Sequence, residues 1–171
     1  SYIVTYYRFP STETVYDSNG KLIKEVDQQE LQEVVPKGFA STTKGKRNLY
    51  WRADKPSTLY WVQALDEGDA NKPAEYRDAV YQLNAPFNGN SELLVKVKDR
   101  YRGIIWGNND IALVRDSWYN SRSESYYLFN PSNSTQQPIR FFERNTQDAY
   151  NNPGNFVTDE NEFGYNVLYI N

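Results

Sequence analysis

From Asn48 onward the chain states one pattern twice, and this repetition constrains its fold more than any other feature of the sequence. Short runs of β-branched and aromatic residues at 48–51, 58–64, 78–84 and 93–97 are separated by Pro, Gly, Asn and Asp. Runs at 103–106, 111–116, 126–130 and 139–143 then follow in the same order. Trp106 lies 55 residues after Trp51, whereas Tyr127 and Asn130 lie 46 after Tyr81 and Asn84. Strand order is kept while the connecting loops change length, which is how structural repeats vary. A four-stranded antiparallel unit of about 40 to 50 residues has the size of a propeller blade. The expected fold is therefore all-β: antiparallel four-stranded β-propeller blades in an incomplete arc. Blade parts fall at 1–47, blades at 48–98 and 99–144, and the start of a further blade at 145–171. On this reading the 171 residues begin and end inside a blade and are too few for a closed ring, which typically needs four to eight blades.

Ahead of the repeat, residues 2–7 read as a strand, and 13–17 and 21–26 as a hairpin closed by Asn19-Gly20, whose positive φ values suit a tight turn. Residues 27–35 read as a single helical turn, with Asp27 as N-cap, Glu30 three positions on, and Pro36 and Gly38 ending it. A last strand is expected at 165–170. An open arc would leave 2–7 and 165–170 without their neighbours, so these edges are expected to pair between molecules or to rearrange. Trp51, Trp61 and Trp106, recurring on strands, are expected in the core.

Composition removes several chemistries. The chain has no His, Cys or Met, so it holds no imidazole base, thiolate nucleophile, disulfide or Cys/His metal site. Its 19 basic residues against 22 acidic ones form no basic block, and no nucleic-acid partner is expected. No run approaches the roughly 20 apolar residues of a membrane helix, so no membrane partner is expected. Asp66-Glu67-Gly68-Asp69 and Asp159 to Glu162 lack the ligand alternation of a calcium loop. The first of these is read as a solvated loop, and neither metal nor cofactor is expected. Asn133-Ser134-Thr135 matches a glycosylation acceptor, a frequent coincidence in an Asn- and Ser-rich chain.

Some segments are recognisable. Arg8-Phe9-Pro10, Val15 to Lys21, the run from Trp51-Arg52-Ala53-Asp54 through Leu59-Tyr60-Trp61-Val62, Leu65 to Asp69, Tyr76-Arg77-Asp78, Ala85-Pro86-Phe87 and Gly103 to Asn108 continuing into Ala112-Leu113-Val114 resemble the N-terminal β-propeller of glutamyl endopeptidases in the prolyl oligopeptidase family. The resemblance implies a serine peptidase in which the propeller admits short or unfolded peptides to a C-terminal α/β-hydrolase domain. It points to a periplasmic or secreted bacterial setting. The catalytic motif is missing here: Gly89-Asn90-Ser91-Glu92-Leu93 lacks the second glycine of a nucleophile elbow. The chain is thus expected to be non-catalytic, with peptide substrate and the hydrolase domain as its partners. Cleavage after Glu calls for a cation that receives a carboxylate, which makes Arg52, Arg77, Arg102, Arg115 and Arg122 the substrate-binding candidates. Against that stands a structural role, since Arg next to Asp, as at Arg52 and Asp54 or Arg77 and Asp78, commonly braces a turn. A stand-alone carbohydrate-binding or protein-interaction β module is the alternative reading.

Overall fold

The computed structural model describes residues 8–170, which hold twelve strands and no α-helix. The two halves of the sequence repeat form two four-stranded antiparallel sheets. The first runs in order through β3 (Lys46–Trp51), β4 (Thr58–Ala64), β5 (Asp78–Asn84) and β6 (Glu92–Val97). The second runs through β7 (Arg100–Trp106), β8 (Ala112–Trp118), β9 (Ser123–Phe129) and β10 (Ile139–Asn145). Their registers coincide. Trp51 and Leu83 both stand opposite Leu59, as Trp106 and Phe129 both stand opposite Ala112. Tyr81 faces Trp61 and Tyr127 faces Val114, each two places further along. The unequal offsets of 55 and 46 are absorbed in the loops, as the sequence requires.

Alternation along β4 explains how the layers stack. Leu59 and Trp61 point to one side of the sheet and pack with Leu83, Phe87, Val15 and Val26, the last two from the hairpin β1 (Ser11–Tyr16) and β2 (Leu22–Gln29). Tyr60 and Val62 point to the other side and join Val80, Val95, Trp106, Ala112, Val114 and Phe129 of the two larger sheets. A strand buried on both faces needs an unbroken apolar run, which Leu59-Tyr60-Trp61-Val62 supplies. Slipping it by one residue would exchange the two sets and misfit both interfaces. Three layers therefore stack face to face, and no sheet closes into a barrel.

The structure departs from the sequence reading at both ends. Residues 2–7 lie outside the described residues. The helical turn expected over 27–35 does not form: β2 runs on through Gln29. The side chains that were to start a helix instead tie β2 to β3. Gln29 Nε2 donates to the Lys46 carbonyl at 2.5 Å, and the Asp27 carboxylate lies 3.6 Å from Lys46 Nζ. The strand expected at 165–170 shortens to β12 (Asn166–Leu168) and is not left single, because β11 (Thr158–Glu160) pairs with it. Val167 of β12 packs against the main core. Trp61 and Trp106 are buried as expected, but Trp51 is 47% exposed, since it ends an edge strand beyond the reach of the neighbouring layer.

Candidate functional site

Connections in the two large sheets alternate between two ends of the stack, and the ends differ in kind. At one end lie the β4–β5 loop, the short β6–β7 link and the β8–β9 turn. Here a buried ion network joins the sheets. Arg100 opens β7 with its side chain 4% exposed; its Nη2 donates to Asp66 Oδ2 at 2.6 Å and its Nη1 to Asp78 Oδ1 at 3.1 Å. Its Nε donates to the Ala40 carbonyl at 2.5 Å. Arg77 adds a second bond to Asp66 at 2.8 Å, and Arg47 a further one to Asp78. Burial would raise the Asp66 carboxyl, but the donors from Arg100 and Arg77 outweigh it and hold the group below its ordinary value. The solvated loop expected at Asp66 to Asp69 is thus corrected: Asp66 is buried because two arginines reach it. Close approach also needs Gly68, whose φ is +79° and where a Cβ would fall 2.1 Å from the Thr42 carbonyl oxygen. Arg100 is committed to internal acceptors through all three of its nitrogens, which makes the network a brace between layers.

The five arginine candidates do not converge. Arg52 is buried, clamps Asp54 through two bonds of 3.0 and 2.6 Å, donates to Gln82 at 2.6 Å and stacks 4.4 Å over Trp106. Arg77 serves the network above and lies 4.2 Å over Trp118. Its expected brace with Asp78 is not made, since Arg47 and Arg100 take that carboxylate. Arg115 lies 3.8 Å from Glu124, and Arg122 stacks 3.9 Å over Tyr119. Arg102 is exposed and donates from Nε to Ser117 at 2.7 Å. Each of the five thus has an internal bond or ring contact of its own.

The opposite end carries the β3–β4, β5–β6, β7–β8, β9–β10 and β11–β12 connections, and it is concave. A cleft of about 310 Å³ is walled by Trp51, Pro56, Phe163 and Tyr165, with Lys55 on its rim. A second, polar cleft of about 460 Å³ shares Arg52 and Lys55 and adds Gln82, Asn84, Glu92 and Ser132. Lys55 stands between the two and has no ion pair or hydrogen bond among the described residues.

Local chemistry makes this end rigid. The Arg52–Asp54 clamp shapes the β3–β4 loop, and the Arg52 amide donates to the Thr58 carbonyl at 2.9 Å to close it. Gln82 passes the chain of bonds outward, donating to Glu92 at 2.9 Å. Asn161 holds the far wall. Its Oδ1 accepts from the amides of Phe163 and Tyr165 at 3.0 and 3.1 Å, and its Nδ2 donates across to the Ala53 carbonyl at 2.8 Å. Gly164, at φ +78°, lets this turn reverse so tightly. Replacing Asn161 by Ala should free the two amides and loosen the wall. We expect amide exchange at Phe163 and Tyr165 to quicken about fivefold, as the loss of about 1 kcal/mol of hydrogen bonding implies, with little change in global Tm.

Sequence reasoning missed Lys55 and Asn161. Each sat inside a stretch already noted for another reason, Lys55 in the turn after Trp51-Arg52-Ala53-Asp54 and Asn161 in the acidic run from Asp159. The Asn161–Gly164 spacing of a tight turn was the available signal.

No family model and no solved structure matches the chain. Two curated proteins do. One, from Oryza sativa subsp. japonica, is 38% identical over 170 residues, and another, from Arabidopsis thaliana, is 36% identical over 170 residues. Both are named "Probable glutamyl endopeptidase, chloroplastic". The alignments cover 98% of this chain but 18% of each relative, so the chain spans about a fifth of the length of the proteins it matches. The expected periplasmic or secreted bacterial location is overturned, because both relatives are named as chloroplastic. Cellular address is read from targeting segments, and no residue of these sheets stood behind that expectation.

Proposed function

We propose that this chain is a non-catalytic, propeller-type part of a serine peptidase that cleaves after Glu. The observation that carries the reading is the similarity along 98% of the chain to proteins named glutamyl endopeptidase, in a sequence that contains no His. In this reading the two four-stranded sheets are blades, residues 1–47 and 145–171 belong to neighbouring blades, and the nucleophile and its base come from an α/β-hydrolase domain elsewhere in the parent. The chain contributes gating and positioning of peptides. Stacked layers braced by a buried ion network suit a rigid filter, since such a wall excludes folded proteins by shape and admits extended segments.

The test is enzymatic. A parent polypeptide that carries this segment should cleave short peptides after Glu, leave their Gln counterparts uncut, and spare a natively folded protein containing the same site until it is unfolded. A parent with no Glu-directed cleavage would remove the peptidase reading, and equal cutting of folded and unfolded substrates would remove the gating role.

A further inference from the structure

Among the described residues most cations at concave or buried places are already engaged. Arg47, Arg52, Arg77 and Arg100 are paired inside the protein, Lys44 and Lys72 share Glu67, Lys46 holds Asp27, and Arg144 holds Glu124. Lys55 is different: it is half-buried, stands where two clefts meet, and has no ion-pair or hydrogen-bond partner among the described residues. Its backbone is held by the Arg52–Asp54 clamp on one side and, through Ala53, by Asn161 of the distant β11–β12 turn on the other. The ammonium group is thus presented by a fixed loop, which lowers the ordering cost of using it.

What lies beside it is aromatic. Trp51, Phe163 and Tyr165 are 47%, 45% and 51% exposed and surround a cleft of about 310 Å³, at the lower end of small-ligand sites and ample for one large side chain. Trp51 is held edge-on to Phe87 with ring centroids 6.0 Å apart, so its other surface remains open. On the far side of Lys55, Glu92 in the polar cleft repels a second carboxylate. An acidic group is therefore best received on the aromatic side of Lys55.

We infer that the Lys55 cleft is a docking subsite for peptide segments in which an acidic residue adjoins an aromatic or large aliphatic one, the carboxylate lying on Lys55 and the apolar side chain between Trp51, Phe163 and Tyr165. The inference rests on the peptide-handling role proposed above and supplies the class of segment handled.

The probes are acetyl-Leu-Phe-Glu-Leu-amide and its Gln analogue, titrated into the 171-residue chain at low salt. Binding is followed by calorimetry and by quenching of the exposed Trp51. The Glu peptide should bind about fivefold tighter than the Gln peptide, the size of one half-buried ion pair. Lys55→Gln should erase that preference and leave Gln-peptide binding unchanged. Trp51→Ala should weaken both peptides. Since the Lys55 side chain makes no ion pair or hydrogen bond among the described residues, circular dichroism of Lys55→Gln should match the parent chain. Equal affinity for the two peptides, a preference that survives Lys55→Gln, no binding of either, or saturable quenching by oligosaccharides in place of peptides would each overturn the subsite. These outcomes are separable from the enzymatic test: a parent that cleaves after Glu while its Lys55→Gln variant discriminates normally keeps the peptidase reading and loses the subsite.

Discussion

Replacing Arg100 with Leu should cost about 3 to 5 kcal/mol, enough to unfold a marginally stable chain. The side chain is 4% exposed and bonds two carboxylates, Asp66 and Asp78, that are themselves shut off from water. It also satisfies the carbonyls of Ala40 and Arg77. Removing one partner from such a network leaves charge buried without full compensation, a larger penalty than the net worth of the intact pairs. Asp66 keeps Arg77, and Asp78 keeps Arg47 and the Tyr101 amide at 2.8 Å, so neither acid is orphaned, and the loss falls within the stated range. Urea denaturation of Arg100→Leu beside Arg102→Leu is the measurement. Arg102 is exposed, and its loss should move stability by no more than about 0.5 kcal/mol. A change below 1 kcal/mol for Arg100→Leu would mean that the network does not brace the layers.

Asp116→Asn should work in the other direction and with a distinct pH signature. Asp116 lies in β8 with its side chain fully buried, and its Oδ1 has no hydrogen-bond partner among the described residues. Its Oδ2 accepts from the Asp99 amide at 3.0 Å. Burial pushes the carboxyl up to about 7, and the nearby charges of Asp99 and Asp78 add to the rise against backbone donors that oppose it. A carboxyl whose value is higher in the folded than in the unfolded chain binds more protons when folded. Its stabilising contribution is complete below about pH 4 and is lost as pH rises toward 7. Asparagine carries no such dependence. The stability difference between variant and parent should therefore shift in favour of the variant by on the order of 3 kcal/mol between pH 4 and pH 8. Groups remote from Asp116 are common to both proteins and cancel from the comparison. Parallel stability curves across that range would show that Asp116 remains ionised in the folded chain.

The repeat was legible because strand pairing is periodic. Trp51 and Trp106 end equivalent strands, and Leu83 and Phe129 share their partners, so counting residues along the chain recovered which strands correspond. The hairpin at Asn19-Gly20 was legible locally as well, although Gly20 alone takes a positive φ, at +79°, and Asn19 does not. The helical turn at 27–35 failed because capping residues describe a propensity, while Gln29 and Asp27 found acceptors and charge on β3, a strand the local pattern does not mention. Arg52 and Asp54 adjoin in sequence and do pair; Arg77 and Asp78 adjoin and do not, because Arg100, 22 positions beyond Asp78, reaches that acid first.

By itself the sequence determined the eight strands of the repeat, their order and their alternation, together with the absence of imidazole and thiol chemistry, since these depend only on residue type and spacing. That Arg52, Arg77 and Arg100 are engaged internally while Lys55 is unpaired among the described residues was decided by tertiary structure alone. Charges pair through space, and the contacts that enclose Lys55 with Trp51, Phe163 and Tyr165 join β3–β4 to a turn more than a hundred residues away, as the bond from Asn161 to Ala53 shows. Nothing in the neighbourhood of residue 55 along the chain records that approach.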